Sequence, residues 1–255
     1  MKLSRQLQFI LFLFLITSFN CFAQTKITVA VAANMQFASE QLKAEFEKKE
    51  NIQIDLIIGS SGKLTQQIMA SAPFDIFISA DTSFPQKIYD GHLAAEVPKI
   101  YAQGLLVLWT SKSDLSMQQN LQFLSNSNIK SIAIANPKNA PYGLAAEALL
   151  KKYNLFDNIK SKLVYGESIT QTSQFISSGA ADVGFTAKSI VLSKEMLGKG
   201  KWIDLNQKDY PPIQQSAVLL KYGQQTHPTE SKKFYDFLFS AKAKIIFKKF
   251  GYIVK

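Results

Sequence analysis

Short β-rich runs alternate with amphipathic stretches, and the alternation occurs twice along the chain. Ile27–Ala32 (ITVAVA) is a short apolar run. After Asn34, the apolar positions Met35, Ala38, Leu42 and Phe46 recur at spacings of three and four, which marks one face of a helix. Ile52–Ile58 (IQIDLII) alternates and then turns fully apolar, as a strand does on entering a core. Gly59-Ser60-Ser61-Gly62 breaks it, Leu64 and Ile68 continue as a helix, and Phe74–Ser79 (FDIFIS) reads as a third strand. The middle of the chain repeats the plan: a strand over Ser131–Ala135, a helix to Leu150, a strand over Leu163–Tyr165, a helix carrying Ile169, Ser173 and Ile176, and a strand over Asp182–Thr186. Between the two units, Tyr101–Trp109 holds one longer apolar run. A last strand, Ser216–Leu220, is followed by two helices near Thr229–Phe239 and Ser240–Phe250. This is an α/β pattern, and it predicts two lobes, each a mostly parallel sheet flanked by helices. The expected division is 24–104 plus 214–255 for lobe 1 and 105–213 for lobe 2. Ligands of open α/β sheets sit outside the carboxyl ends of the strands, so a cleft between the lobes is the place to look for function.

The first 23 residues read as an export signal rather than part of the fold. Lys2 and Arg5 precede an unbroken apolar run, Phe9–Ile16, too short to span a bilayer. Cys21-Phe22-Ala23 then places small residues where a signal peptidase needs them, so cleavage is expected after Ala23. Polar Thr17, Ser18 and Asn20 argue against a membrane anchor, and Asn20 argues against lipid attachment at Cys21. The expected address is the periplasm. Cleavage would also remove the chain's one cysteine, leaving no disulfide, thiol nucleophile or thiolate ligand. The net charge of +10 falls to +8 without Lys2 and Arg5. Nucleic acid is an unsuitable partner for an exported chain, and solvated helix faces such as Glu45–Glu50 absorb most of that charge. His92 and His227 sit apart beside Gly91 and Pro228, and both read as surface residues. With no paired carboxylates, nucleophile elbow or histidine cluster, nothing supports an enzyme or a bound metal or cofactor.

Four strand–helix junctions carry small or polar residues: Val31–Asn34, Ile58–Gly62, Asn139–Gly143 and Gly166–Ile169. Any one of them is ordinary turn and N-cap chemistry. Two per lobe form a pattern, because each offers free backbone N–H groups at a helix start, which attract anions. Lys63 and Lys188 lie nearby, and each reads as a solvated lysine.

At these junctions the sequence resembles the periplasmic molybdate-binding proteins of ABC importers. The resemblance is carried first by Gly59–Asp81, GSSGKLTQQIMASAPFDIFISAD, and then by Ile27–Phe37, by ANPKNAPYGLAAEAL from Ala135 and by ADVGFTAKS from Ala181. It implies a type II periplasmic-binding fold, with the ligand between the lobes and held by hydrogen bonds alone. Matched position by position, it implies contacts from Asn34, Ser61, Tyr142, Ile169 and Ala187. Asn34 stands where relatives often have serine, either side chain being able to donate. Tyr142 and Ile169 match backbone donors. Ala187 stands where some relatives place a tyrosine hydroxyl, a loss that Tyr142 could offset. The resemblance further implies molybdate, usually with tungstate, as cargo, a membrane ABC permease as partner, a monomer in solution and no cofactor.

The implied contacts are donors only, and that bears on selectivity. Phosphate near neutral pH keeps a proton that needs an acceptor, whereas molybdate, tungstate and sulfate accept at every oxygen. Each charge-assisted hydrogen bond contributes about 1.5–3 kcal/mol, and an acceptor facing an acceptor loses a comparable amount. Sulfate or another oxyanion is the alternative cargo, with an exported α/β hydrolase behind it. An organic acid would need an arginine, and the one arginine is Arg5.

Overall fold

The computed structural model describes residues 24–254. The expected export segment and Cys21 lie outside the described residues. β1 (Thr25–Ala32), β2 (Ile52–Gly59) and β3 (Ile76–Ser79) are the three strands of the first unit. A 3-10 turn, Ala33–Met35, leads from β1 into α1 (Gln36–Glu47), while α2 (Ser61–Met69) follows β2 and α3 (Ser83–Asp90) follows β3. The spacing that marks α1 as a helix also fixes its packing: Ala38, Leu42 and Phe46 point into one core with Ile27, Val29 and Val31 of β1. Leu64 and Ile68 of α2 pack on the opposite face of the sheet against Ala30 and Phe77. Each such fully buried aliphatic or aromatic side chain contributes about 1.5–3 kcal/mol.

Beyond β4 (Lys99–Gly104) the chain enters the second sheet through β5 (Leu106–Thr110), with Leu105 alone between them. The apolar run over 101–109 is therefore two strands in two sheets, where the sequence suggested one segment. Gly104, at the end of β4, leaves room for a side chain of the second lobe: a Cβ there would lie 2.0 Å from the Tyr142 hydroxyl. The second unit then runs β6 (Ile132–Ala135), α4 (Pro141–Lys152), α5 (Phe156–Ile159), β7 (Leu163–Gly166), α6 (Ile169–Ser177), β8 (Val183–Ala187), α7 (Lys188–Val191) and β9 (Lys201–Asp204). The chain returns through β10 (Ile213–Leu219) to α8 (Lys221–Thr226), α9 (Pro228–Phe237) and α10 (Ala241–Lys249).

The first sheet has the order β2-β1-β3-β10-β4 and the second β7-β6-β8-β5-β9. β1 is parallel to β2 and β3, while β10 is antiparallel to β3 and β4. In the second sheet β6 is parallel to β7 and β8, and β5 is antiparallel to β8 and β9. The two sheets thus share one plan. Both are mixed: the parallel half comes from the β-α-β-α-β units legible in the sequence. The antiparallel half comes from β10 and β5, the strands by which the chain enters each sheet from the other lobe without a covering helix to reverse it. The result is a two-lobed α/β fold with two crossings. Near the first crossing the C-terminal segment lies along β4, where Gln103 and Ile253 exchange backbone hydrogen bonds of 2.8 and 2.9 Å. Among the described residues no helix is long and apolar enough to cross a membrane.

Candidate functional site

Strand register brings the junctions together. Ala32 pairs with Gly59, so β1 and β2 end level, and Ala33-Asn34 lies beside Ser60-Ser61. Val31 pairs with Ile78, which brings Ala80 to the same level. In the second lobe Ala135 pairs with Gly166, which levels the ends of β6 and β7. The two sets of ends face each other across the cleft. The lobes touch there: the Gly62 N–H donates to the Asn139 carbonyl at 2.9 Å, and a Cβ on Gly62 would meet the Asn139 Cα at 2.9 Å. Glycine is what lets the two backbones approach. Thr170 Oγ1 also donates to Gln36 Oε1 at 2.9 Å, and Ser189 Oγ to the Asn34 carbonyl at 2.7 Å. The lobes are closed on each other.

Three of the four helix starts are left uncapped. The N-cap positions of the 3-10 turn, α2 and α4 are Ala32, Ser60 and Ala140, and none of them makes a side-chain cap bond. Ser168 does cap α6, accepting from the Gln171 N–H in the first turn, which leaves the Ile169 N–H at the helix start free of it. The first N–H groups of a helix have no intrahelical partner, and burying them without one is costly. Here these helix starts converge on a single small cavity of about 10 Å³. That is below the ~300–1,000 Å³ of sites for drug-sized ligands. It is lined by Ala32, Ala33, Asn34, Ser60, Ser61, Ala80, Ala140, Pro141, Tyr142 and Ile169, none of which carries a formal charge. An uncharged cavity ringed by helix starts suits a small anion, because the helix dipoles supply positive potential without a cation.

Asn34, Ser61, Tyr142 and Ile169 therefore line one cavity, two from each lobe. Ser61 Oγ accepts from the Ala80 N–H at 3.1 Å, which leaves its own proton free to donate. Asn34 does not present a donating side chain. Its Nδ2 donates to Gln215 Oε1 at 2.7 Å and to the Tyr252 hydroxyl at 2.8 Å, so both amide hydrogens are committed away from a ligand. What Asn34 can offer is its backbone N–H. Its Oδ1 is buried without a partner, as is the Tyr142 hydroxyl. Burial, reinforced by the neighbouring Tyr252, Tyr101 and Tyr210 phenols, raises the Tyr142 pKa well above the usual range, while the Asn34 amide opposes this. Tyr142 thus keeps its proton. Ala187 is not in the cavity wall: it ends β8, pairs with Leu106 across the ladder and is fully buried in the second lobe's core.

The nearby cations are engaged elsewhere. Lys63 pairs with Glu167 of the other lobe at 2.9 Å. Lys188 pairs with Asp204 at 2.8 Å and covers the Trp202 ring. His92 is exposed, as the sequence suggested. His227 is not a bare surface residue: its Nδ1 lies 2.7 Å from Oδ1 of the buried Asp75, which also accepts from Ser231 Oγ at 3.1 Å and, at Oδ2, from the Thr28 N–H at 2.6 Å. This cluster pins α9 to β3 and β1, far from the cavity wall. Among the described residues no group of three or more histidine, cysteine or acidic side chains is placed to hold a metal.

Sequence reasoning missed the support behind the cavity. Gln215 of β10 and Tyr252 of the C-terminal segment hold the Asn34 side chain, and the Tyr252 hydroxyl also meets Ser189 at 3.1 Å. A lone glutamine and a lone tyrosine, 181 and 218 residues from Asn34, carry no local signal. Ala80, which also lines the cavity, was equally silent as an alanine.

A family model described as bacterial extracellular solute-binding protein matches residues 27–253. The molybdate-binding protein ModA of Rhodobacter capsulatus is 36% identical over 91% of this chain and 90% of its own length. The protein of the same name from Azotobacter vinelandii is 37% identical over 91% of this chain and 92% of its own. The solved structure of the Azotobacter vinelandii periplasmic molybdate-binding protein superposes with a TM-score of 0.84 at 31% identity, covering 90% of this chain and 99% of that one.

Proposed function

The chain belongs to the bacterial extracellular solute-binding proteins, in the branch of the molybdate-binding proteins, and on that premise we propose that it captures molybdate outside the cytoplasm and hands it to an ABC permease. It is a binding protein and not an enzyme. One observation carries the reading of the site: the uncharged cavity in which helix starts from both lobes converge. We extend the proposal to tungstate, which has the same charge and shape, to export with cleavage near Ala23, and to action as a monomer without a cofactor.

The proposed binding steps use this chain's own groups. The backbone N–H groups at Asn34, Ser61, Tyr142 and Ile169, with the Ser61 hydroxyl, donate to the oxygens of a tetrahedral dianion. Ala187 drops from the proposed contacts, because it is not among the residues that line the cavity. Closure brings the junctions of the two lobes to one ligand, and the ligand holds them there, so the permease meets a closed shape only when cargo is present. Selectivity over phosphate follows from the lack of a well-placed carboxylate, since a protonated oxygen would face a donor. Selectivity over sulfate rests on size, the Mo–O bond being longer.

Titration calorimetry with molybdate, tungstate, sulfate and phosphate tests the proposal. Tight molybdate and tungstate binding, weaker sulfate and barely measurable phosphate are expected. Phosphate binding best of the four would overturn the reading.

A further inference from the structure

Ser60 has the backbone of an N-cap residue, with φ −68° and ψ 146°, yet its side chain does not cap α2. The residue is 3% exposed, and its hydroxyl is buried without any hydrogen-bond partner. N-cap serine is favoured because its oxygen accepts from the first turn, so a serine that holds the position and leaves the bond unmade is anomalous. A buried hydroxyl left unpaired is also costly, and such groups call for an explanation. The other hydroxyl of the pair, on Ser61, has its protein partner in the Ala80 N–H.

Ser60 lines the anion cavity, and it also lines the adjoining groove with Lys63, Glu167 and Ser168. It therefore stands in the wall between the cavity and the cleft mouth, where the second lobe closes over the first. From this placement we infer that the Ser60 hydroxyl is a further ligand donor, pointing its proton at an oxygen of the bound oxyanion on the mouth side. The inference rests on the oxyanion reading of the cavity. Ser60 gives up capping α2, and with the Gly62 N–H held by the Asn139 carbonyl, the Ser61 N–H and the Ser60 O–H are left for one anion. In the closed cleft no protein acceptor meets its hydroxyl, so a bound oxyanion supplies the partner, and the contact adds to affinity for the loaded state and not to stability of the empty one.

The test compares Ser60→Ala, Ser61→Ala and the unaltered protein by calorimetry with molybdate, alongside thermal unfolding of each protein free of anion. Loss of one charge-assisted donor corresponds to about 10- to 150-fold weaker binding. Ser60→Ala is expected to bind molybdate at least tenfold more weakly, with the anion-free melting temperature unchanged. If Ser61→Ala weakens binding and Ser60→Ala does not, the inference fails while the site stands. If Ser60→Ala lowers the anion-free melting temperature and leaves affinity alone, Ser60 is a structural cap and the inference fails. If the unaltered protein binds no oxyanion, the underlying reading fails as well.

Discussion

Replacing Ile169 by proline removes one backbone donor from the cavity and nothing else that Ile169→Ala does not also remove. Ile169 is the first residue of α6. A proline is tolerated there, because the N–H at that position has no intrahelical partner and proline's fixed φ suits a helix start. The preceding Ser168 is extended, at φ −138° and ψ 169°, as a residue before proline prefers. The same arrangement already exists at α4, which begins with Pro141. Both variants lose a side chain that is 3% exposed, at about 2–5 kcal/mol of stability. They differ in the N–H. If that group donates to a dianion, its loss removes about 1.5–3 kcal/mol, or about 10- to 150-fold in affinity. Calorimetry with molybdate, with circular dichroism to confirm the fold, reads the difference between the two variants. Equal affinity of Ile169→Pro and Ile169→Ala would refute the claim that helix-start N–H groups hold the ligand.

Ser61→Ala should weaken molybdate binding by about 10- to 150-fold, since it deletes the hydroxyl held by Ala80, and calorimetry beside an unchanged circular dichroism spectrum checks it. Lys63→Ala breaks a half-exposed interlobe ion pair of the kind that contributes about 0.2–1 kcal/mol, so stopped-flow dissociation should speed up by no more than about fivefold, and 1 M salt should erase the difference. Asp75→Ala orphans donors from Thr28, Ser231 and His227, and chemical denaturation should show a loss of about 3 kcal/mol or more with anion preference unchanged. Molybdate affinity should be flat between pH 6 and about 9, because the cavity wall holds no carboxylate, lysine or histidine and burial keeps Tyr142 protonated; a titrating step in that window would contradict the site. Acid should act instead at Asp182. Burial raises its pKa, but Lys112 and the N–H groups of Lys130 and Ser131 outweigh burial and lower it overall. A carboxylate with a lowered folded pKa stabilises above its unfolded value near 4, and that contribution is lost as pH falls through the folded pKa. Asp182→Asn should therefore flatten the acid limb of the unfolding profile.

The parallel halves of both sheets were legible because each β-α-β-α-β unit writes its own periodicity. The antiparallel halves were not, since β4 and β5 form one apolar run divided only by the passage at Gly104 and Leu105. β9 and α7 were also silent, being four residues each and too short to show a period. The cavity was readable at Asn34, Ser61, Tyr142 and Ile169, because strand ends followed by helix starts form a local pattern. Ala187 was carried by resemblance alone. The direction of the Asn34 amide was beyond reach, because it is set by Gln215 and Tyr252 from the far end of the chain. Ser60 shows the same limit: the Gly-Ser-Ser-Gly run reads as a candidate anion site, but only the folded structure shows that one hydroxyl is anchored and the other is not.

The most direct test of the account is a crystal of the molybdate-soaked protein measured at the molybdenum absorption edge. The account predicts one anomalous peak between Ser61, Tyr142 and Ile169, with backbone N–H and hydroxyl groups as its contacts and no lysine within hydrogen-bond reach. A peak outside that cavity, or an ammonium group on the anion, would contradict it.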